Sequence, residues 1–436
     1  MKSLFKKILV FLLTLEARMA LICTHLLGGQ ARLTIIAVTG TVGKTSTKDA
    51  IAAALSPFGR VRKSEKSFNS EIGVPLAILG AKNQWSNPLG WFLVLFRGFF
   101  FSFFKCLSGF LVLEVGTDKP GDIRSITKWL KPDVVVVTKL SRTPVHIENF
   151  SSVGELIAEK GALVESVRTG GTIILNVDDN DVLAYRALAP KGTRIISFGF
   201  GNTADVRGTN YEIIYEKNRE VQFPAGFSLA TNVSAVPLEI RGVLGKHFSY
   251  SLLAALATTA SFGFDMKKAV GVFSRLAPGR MRLLEGMNNS LLIDDSYNSS
   301  PVAAREALET LSSLNVSGRK FAVLGDMLEL GEFSEAEHKK ILEFALTTAY
   351  SVFIIGERFS ICSQSCLDAK GEKIRIFSDA SAAGAALAKE LRSGDVALIK
   401  GSQGIRMERA VEQVLANRAE AKNLLVRQEK EWLKKP

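Results

Sequence analysis

The sequence predicts an α/β protein: a mostly parallel central sheet built behind a phosphate-binding P-loop, carrying a small antiparallel insertion and followed by a second, Rossmann-like α/β domain. Three observations carry that prediction. The apolar run Thr34-Ile-Ile-Ala-Val38 breaks into Thr39-Gly-Thr-Val-Gly-Lys-Thr-Ser46, and the alanine-rich stretch Thr45 to Leu55 follows, giving strand, glycine turn and helix in succession. Short apolar runs bounded by turn residues then alternate with helical patterns, the rhythm of a parallel sheet covered on both faces. Between Arg194 and Leu244 the pattern changes to short alternating segments such as YEIIYE and PLEIRG, which read as the antiparallel insertion.

Taken in order, Met1 to Leu27 joins Lys2, Lys6 and Lys7 to an apolar run, Ile8 to Leu15. Glu16 and Arg18 interrupt it short of the roughly 18 to 20 residues that a membrane span requires. This helix is expected either to lie in the inner face of a membrane or to pack on the protein itself. The phenylalanine-rich stretch Trp91 to Phe110 carries Arg97 and Lys105, and it either packs under a sheet or dips into the headgroup region. Further strands are expected at Leu111 to Val115, Asp133 to Thr138 and Thr172 to Asn176, with a helix from Ser152 to Val167 and another from Phe248 to Phe262. Ala277-Pro-Gly-Arg280 reads as a domain boundary. Beyond it, strands are expected at Ser290 to Asp294, Lys320 to Leu324, Ser351 to Ile355 and Val396 to Ile399, and the charged tail after Asn417 as a fraying helix.

Composition narrows the function. A chain of 436 residues with 47% hydrophobic and 22% charged residues can bury large cores, and its net charge of +12 suits an acidic partner. A basic stripe interleaved with aromatics is absent, so nucleic acid is not expected. Cys23, Cys106, Cys362 and Cys366 show neither metal spacing nor a disulfide framework, and reduced thiols in a cytoplasmic setting are the default.

The glycine turn carries the chemistry. Gly40 and Gly43 let backbone N–H groups turn inward at a helix N-terminus, where the macrodipole favours an anion. Residues Gly40, Thr41, Val42, Gly43, Lys44, Thr45 and Ser46 are therefore the expected ATP-binding loop, with Lys44 on the β- and γ-phosphates and Thr45 on magnesium. Glu114 ends an expected strand, in the crevice where α/β sheets bind ligands; it either holds magnesium or pairs with a lysine.

Nine segments in order extend this reading: TGTVGKTS, FNSEIGVPLAIL, LEVGTDKPGDI, VHIENFSSVGELIAEKGALVES, ILNVDDNDV, PGRMRLLEG, IDDSYNSSP, VLGDMLELGEFSEAEHKKI and IKGSQGIRME. Together they resemble the ATP-dependent Mur ligases, and within them the D-alanyl-D-alanine-adding MurF branch. The resemblance implies a central ATP-binding domain at 31–277 and a C-terminal ligase domain at 278–436, after an N-terminal basic and apolar helix at 1–30. It implies metal contacts for Glu114 and His146, and a carbamate on Lys160, formed with carbon dioxide, that would bind a second magnesium. Free lysine is neutral in only about one molecule in 2,500 at pH 7, so such an amine must be depressed by its surroundings. By the same resemblance Arg280, Asp295 and Asn298 face the nucleotide, while Asn69, Asp326, Glu329, Lys400, Ser402 and Arg406 serve the substrates. Lys139, Phe248 and Ser251 stand where the family usually has asparagine, and Gln403 where an arginine is common.

The implied reaction is amide formation through an acyl phosphate, joining D-alanyl-D-alanine to UDP-N-acetylmuramoyl-tripeptide in peptidoglycan precursor synthesis, by a monomer that is cytoplasmic or at the cytoplasmic face of the membrane. The family's usual N-terminal UDP-binding domain is not expected in the 33 residues before Thr34. The UDP moiety is then gripped elsewhere or by another protein, or the acceptor is lipid-linked. Rival readings are a poly-γ-glutamate-synthase-like or folylpolyglutamate-synthase-like ligase, and an inactive nucleotide-binding membrane scaffold.

Overall fold

The computed structural model describes residues 2–27, 33–65, 68–85, 87–104, 107–141, 147–218, 220–273, 280–364, 371–429 and 432. Helix α1 (Lys2–Leu27) leads into a nine-stranded sheet. Its strands are β1 (Leu33–Thr39), β2 (Val61–Lys63), β3 (Gly109–Glu114), β4 (Val134–Val137), β5 (Thr172–Asn176), β6 (Arg194–Gly199), β7 (Val206–Asn218), β8 (Val221–Thr231) and β9 (Ser234–Arg241). They lie in the order β2-β3-β1-β4-β5-β6-β7-β8-β9, parallel as far as the β6–β7 pair and antiparallel from β7 to β9. The helices of this part are α2 (Lys44–Leu55), α3 (Gly73–Leu79), α4 (Pro88–Phe104), α5 (Asp122–Thr127), α6 (Val153–Glu165), α7 (Asn180–Ala184), α8 (Lys246–Ser261) and α9 (Met266–Val270).

The unbroken apolar runs of β1 and β3 follow from burial on both faces, since successive side chains point to opposite sides. Ile35, Ala37, Leu111 and Leu113 enter one core with α1, α3 and α4. Ile36, Val38, Phe110 and Val112 enter the other, against α2 and α8. Small side chains let those two helices approach closely: Ala50, Ala54, Ala254 and Ala255 are fully buried, and Thr47 Oγ1 donates to Ser251 Oγ at 3.1 Å.

A second sheet of six strands follows: β10 (Arg282–Gly286), β11 (Ser290–Asp295), β12 (Lys320–Gly325), β13 (Ser351–Ile355), β14 (Ile374–Phe377) and β15 (Val396–Lys400), in the order β10-β11-β15-β12-β13-β14. Only β10 runs antiparallel to its neighbour. Helices α10 (Pro301–Ser313), α11 (Ser334–Thr348), α12 (Glu357–Gln364), α13 (Ala380–Glu390) and α14 (Glu408–Val414) accompany it. Ala277, Pro278 and Gly279, the expected boundary, lie outside the described residues.

Three expectations need correction. Arg194 does not open an antiparallel insertion, because β6 pairs in parallel with β5; its alternating look comes from Ser197, buried and hydrogen-bonded to Asp205. Trp91 to Phe110 is not one segment, for α4 ends at Phe104 and Gly109 already starts β3. The tail forms a short helix, Ala421–Leu424, and then turns back. Arg427 there is buried against Glu408 at 3.1 Å and donates to the carbonyls of Ser296 and Tyr297.

Candidate active site

Register brings the loop and its partners together. In the parallel β1–β3 pair Val38 lies beside Glu114, and in the β1–β4 pair Thr39 lies beside Val137, so Glu114 and Thr138 flank the turn that leaves β1. Gly40 takes φ +144° and Gly43 φ +83°, conformations that favour glycine. The turn is strapped to the two residues that follow β4. Thr41 N donates to Lys139 O at 2.7 Å, and Thr138 Oγ1 donates to Val42 O at 2.6 Å. Gly43 caps α2 without a side chain, which leaves the first amides of that helix for an anion.

Around the cradle, Thr45 Oγ1 donates to Glu114 Oε2 at 2.9 Å and Asn69 Nδ2 to Glu114 Oε1 at 3.3 Å. Among the described residues, Glu114 accepts from these two neutral donors. Lys44 Nζ donates to Thr41 O at 3.4 Å, and burial lowers its pKa, opposed by the nearby Glu114 charge. Ser152 caps α6 by accepting from Glu155 N, while Ser151 N donates back to the Glu155 carboxylate. One turn on, Glu159 accepts from the N–H groups of Ile123 and Arg124, fixing α6 beside the start of α5. Lys160 follows it, only 4% exposed. Burial pushes its amine down to about 7, the Lys44 charge pushes the same way, and Glu159 and Asp118 oppose. His146 lies outside the described residues.

The second sheet supplies the opposite wall. Asp295 and Lys400 are neighbours in the β11–β15 pair, and Lys400 Nζ donates to Asp295 Oδ2 at 2.6 Å and to Asn298 O at 2.9 Å. Burial lowers the Lys400 pKa while Asp295 opposes it. Both residues, with Arg280, line a cleft that is also lined by Val42, Gly43, Ser46 and Thr47. Asn176, Phe198, His247, Phe248, Tyr250 and Ser251 line it as well. Lys139 and Glu306 bridge the two walls at 2.7 Å.

The remaining candidates are engaged elsewhere. Both carboxylate oxygens of Asp326 accept from the start of α12, at Arg358 N (3.0 Å) and Phe359 N (2.9 Å). Ser402 Oγ accepts from Leu328 N and donates to Ser299 O. Arg406 Nε pairs with Glu408 at 2.6 Å, and Asn298 Oδ1 accepts from Ser299 N and Gln403 N. Glu329 is exposed, with φ +65°. None of these five lines the cleft. Sequence reasoning missed Asn176, His247 and the Lys139–Glu306 bridge. Asn176 was within reach of the rule that strand C-termini face ligands, being the last residue of β5. His247 gives no such signal; among the described residues its buried Nδ1 has no hydrogen-bond partner, and burial lowers its pKa.

The chain matches the Mur ligase middle domain over residues 38–88 and 101–259, and the Mur ligase glutamate ligase domain over 279–403. It is 28% identical over 408 residues to the UDP-N-acetylmuramoyl-tripeptide-D-alanyl-D-alanine ligase of Mycobacterium tuberculosis, covering 88% of this chain and 73% of that one. The enzyme of the same name from Escherichia coli is 27% identical over 390 residues, with 88% and 77% covered. In fold it is similar to MurF from Acinetobacter baumannii, with a TM-score of 0.70 at 22% identity over 90% of this chain and 79% of that one. A MurF ligase from Thermotoga maritima in complex with ADP gives 0.68 at 24% identity, over 93% and 84%. With the two domain matches taking in most of its length, the chain belongs to the Mur ligase family.

Proposed function

We propose that this protein is an ATP-dependent carboxylate–amine ligase that joins D-alanyl-D-alanine to UDP-N-acetylmuramoyl-tripeptide, the reaction named for the relatives it resembles. The observation that carries the reading is one cleft with the uncapped loop of α2 on one wall and the Asp295–Lys400 pair on the other. ATP binds with its phosphates in the loop and its base toward Phe248 and Ser251. The substrate carboxylate attacks the γ-phosphorus and ADP leaves; the amine then attacks the acyl carbon, and phosphate departs from the tetrahedral intermediate as the amide forms.

Lys44 and the amides at the start of α2 hold the phosphates in line and balance charge on the transferring group. The site's donors fit magnesium: the Thr45 hydroxyl and Glu114 carboxylate converge at 2.9 Å, hard oxygen ligands of the kind that ion prefers, with Asn69 orienting the carboxylate. Magnesium bound there supplies positive charge to the phosphate oxygens. An amine depressed to about 7 fits carbamate formation at Lys160, and the carbamate with His146 is the proposed place for a second ion. Closure about the segment at Ala277 to Arg280, between domains 31–277 and 278–436, excludes water that would hydrolyse the acyl phosphate. Asn69, Asp326, Glu329, Lys400, Ser402 and Arg406 are the proposed substrate-side residues, and Asn69, Asp326, Lys400, Ser402 and Arg406 must exchange present bonds to reach a ligand. The protein works as a monomer on the cytoplasmic side of the membrane, with peripheral contact to it.

Magnesium-dependent phosphate release from ATP, measured with each substrate alone and with both, tests the reading. Release that requires both, with a pentapeptide product by mass, is expected. Turnover with a glutamyl acceptor instead would move the assignment to another branch of the family.

A further inference from the structure

Helices α1 and α4 each carry two apolar stripes where a surface helix needs one. The inner stripes, Leu9, Leu13, Ala17 and Ala20 on α1 and Trp91 and Val94 on α4, join the core under the first sheet. Polar links hold them there. Ser102 Oγ donates to Glu16 O at 2.8 Å, and Leu107 N donates to Thr24 Oγ1 at 2.9 Å. The outer stripes recur at the same three- and four-residue spacing: Ile8, Phe11 and Leu15 on α1, and Phe92, Phe96 and Phe100 on α4. Phe11 is 65% exposed and Phe92 63%, and the α4 rings follow one another at centroid distances of 6.3 and 5.0 Å. Thirteen of the seventeen large apolar side chains exposed among the described residues lie on these two helices. Exposed apolar side chains concentrated on two packed helices mark an interaction surface.

Charge selects the partner. The one acidic residue in either helix is Glu16, which is buried, whereas Lys6, Lys7, Arg18 and Arg97 are exposed; Lys6 also pairs with Glu71 at 3.1 Å. A second copy seated on the patch would bring these cations together. An anionic lipid surface meets both the apolar stripe and the charges. Contrary to the interruption expected at Glu16 and Arg18, residues Leu4–Leu26 are by length and composition apolar enough to cross a membrane, but the inner stripe of α1 is already buried in protein, so the helix lies in the plane of the interface. We infer that α1 and α4 together form an in-plane docking surface for a bilayer containing anionic lipid. The inference deepens the peripheral contact proposed above and does not depend on the ligase chemistry.

Flotation of the full chain with phosphatidylcholine vesicles, with and without phosphatidylglycerol, tests it, with melting temperature and phosphate release followed on the same samples. The chain should float with phosphatidylglycerol vesicles and be released by alkaline carbonate. Reversing Lys7 and Arg97 to Glu should weaken binding more than about tenfold, at roughly fivefold for each cation lost. Phe92→Ser with Phe96→Ser should abolish binding at an unchanged melting temperature. The inference is overturned if the parent chain stays in the aqueous phase, if both folded variants float as it does, if carbonate leaves it embedded, or if dimerisation occupies the patch. Loss of phosphate release with flotation intact counts against the ligase reading alone.

Discussion

Replacing Gly40 with alanine should disable nucleotide binding while leaving the fold in place. A Cβ at this position would lie 2.1 Å from Thr138 Oγ1, and 3.1 and 3.2 Å from the backbone O and N of Lys139. The backbone there, at φ +144°, is one that residues with side chains seldom adopt, at a cost of about 1–3 kcal/mol. Moving Thr138 aside also gives up its 2.6 Å bond to Val42 O, worth about 1 kcal/mol. The total, about 2–4 kcal/mol, is relieved by shifting the half-buried turn at 41–46 that forms the anion cradle, so it appears chiefly as lost affinity. At about 1.4 kcal/mol per decade, ADP should bind roughly 30- to 700-fold more weakly. Calorimetric titration of ADP into both proteins reads this directly, and phosphate release should fall in parallel. Adding Thr138→Ala removes the closest clash but also deletes the same hydrogen bond and keeps the backbone strain, so the double variant should bind ADP about as weakly as Gly40→Ala alone. Affinity for ADP within threefold of the parent in Gly40→Ala would falsify the cradle geometry argued here.

Other expectations follow from buried charges. Lys160→Ala and Lys160→Arg should both lower phosphate release by more than about 100-fold, and depleting bicarbonate should slow the parent protein reversibly; retained activity in the arginine variant would exclude a carbamate. Asp295→Asn leaves the 1%-exposed Lys400 without its counter-charge and should destabilise the fold by about 3–5 kcal/mol, read by thermal or denaturant melts, with Lys400→Met in the same chain restoring much of it. Burial raises the Glu16 carboxyl from 4.5 to about 7, so the folded chain keeps a proton that the unfolded chain releases. Its contribution is therefore complete below pH 4.5 and is lost as pH rises through about 7, a fall of about 1–2 kcal/mol once solvent screening is allowed for. Glu16→Gln should flatten that slope in melts taken from pH 4.5 to 8.

Much of the candidate site could be read from residues because a phosphate cradle is a local object. Gly40, Gly43 and Lys44 are close in the chain, and strand, turn and helix are set by short-range periodicity and by what glycine alone can do. Strand ends were also legible: β5 and β13 occupy the expected residues, and β1, β3, β4, β11, β12 and β15 differ by one or two at their ends. Short or atypical strands were not. Val61–Lys63 and Ile374–Phe377 sit at sheet edges, where weaker burial leaves a weaker apolar signal.

The sequence by itself determined the fold class, the phosphate-binding turn and the family motifs. Only the tertiary structure decided which of those motifs meet. Asp326, Ser402 and Arg406 share segments with functional-looking neighbours, yet they are tied into α12, Leu328 and Glu408, because a side chain's partner depends on which segment packs beside it. The same holds for Lys139 and Glu306, 167 residues apart and bridged across the cleft, and for α1 and α4, whose inner stripes enter a common core. Local periodicity is written in neighbouring residues, whereas contacts between distant ones arise only when cores close around them.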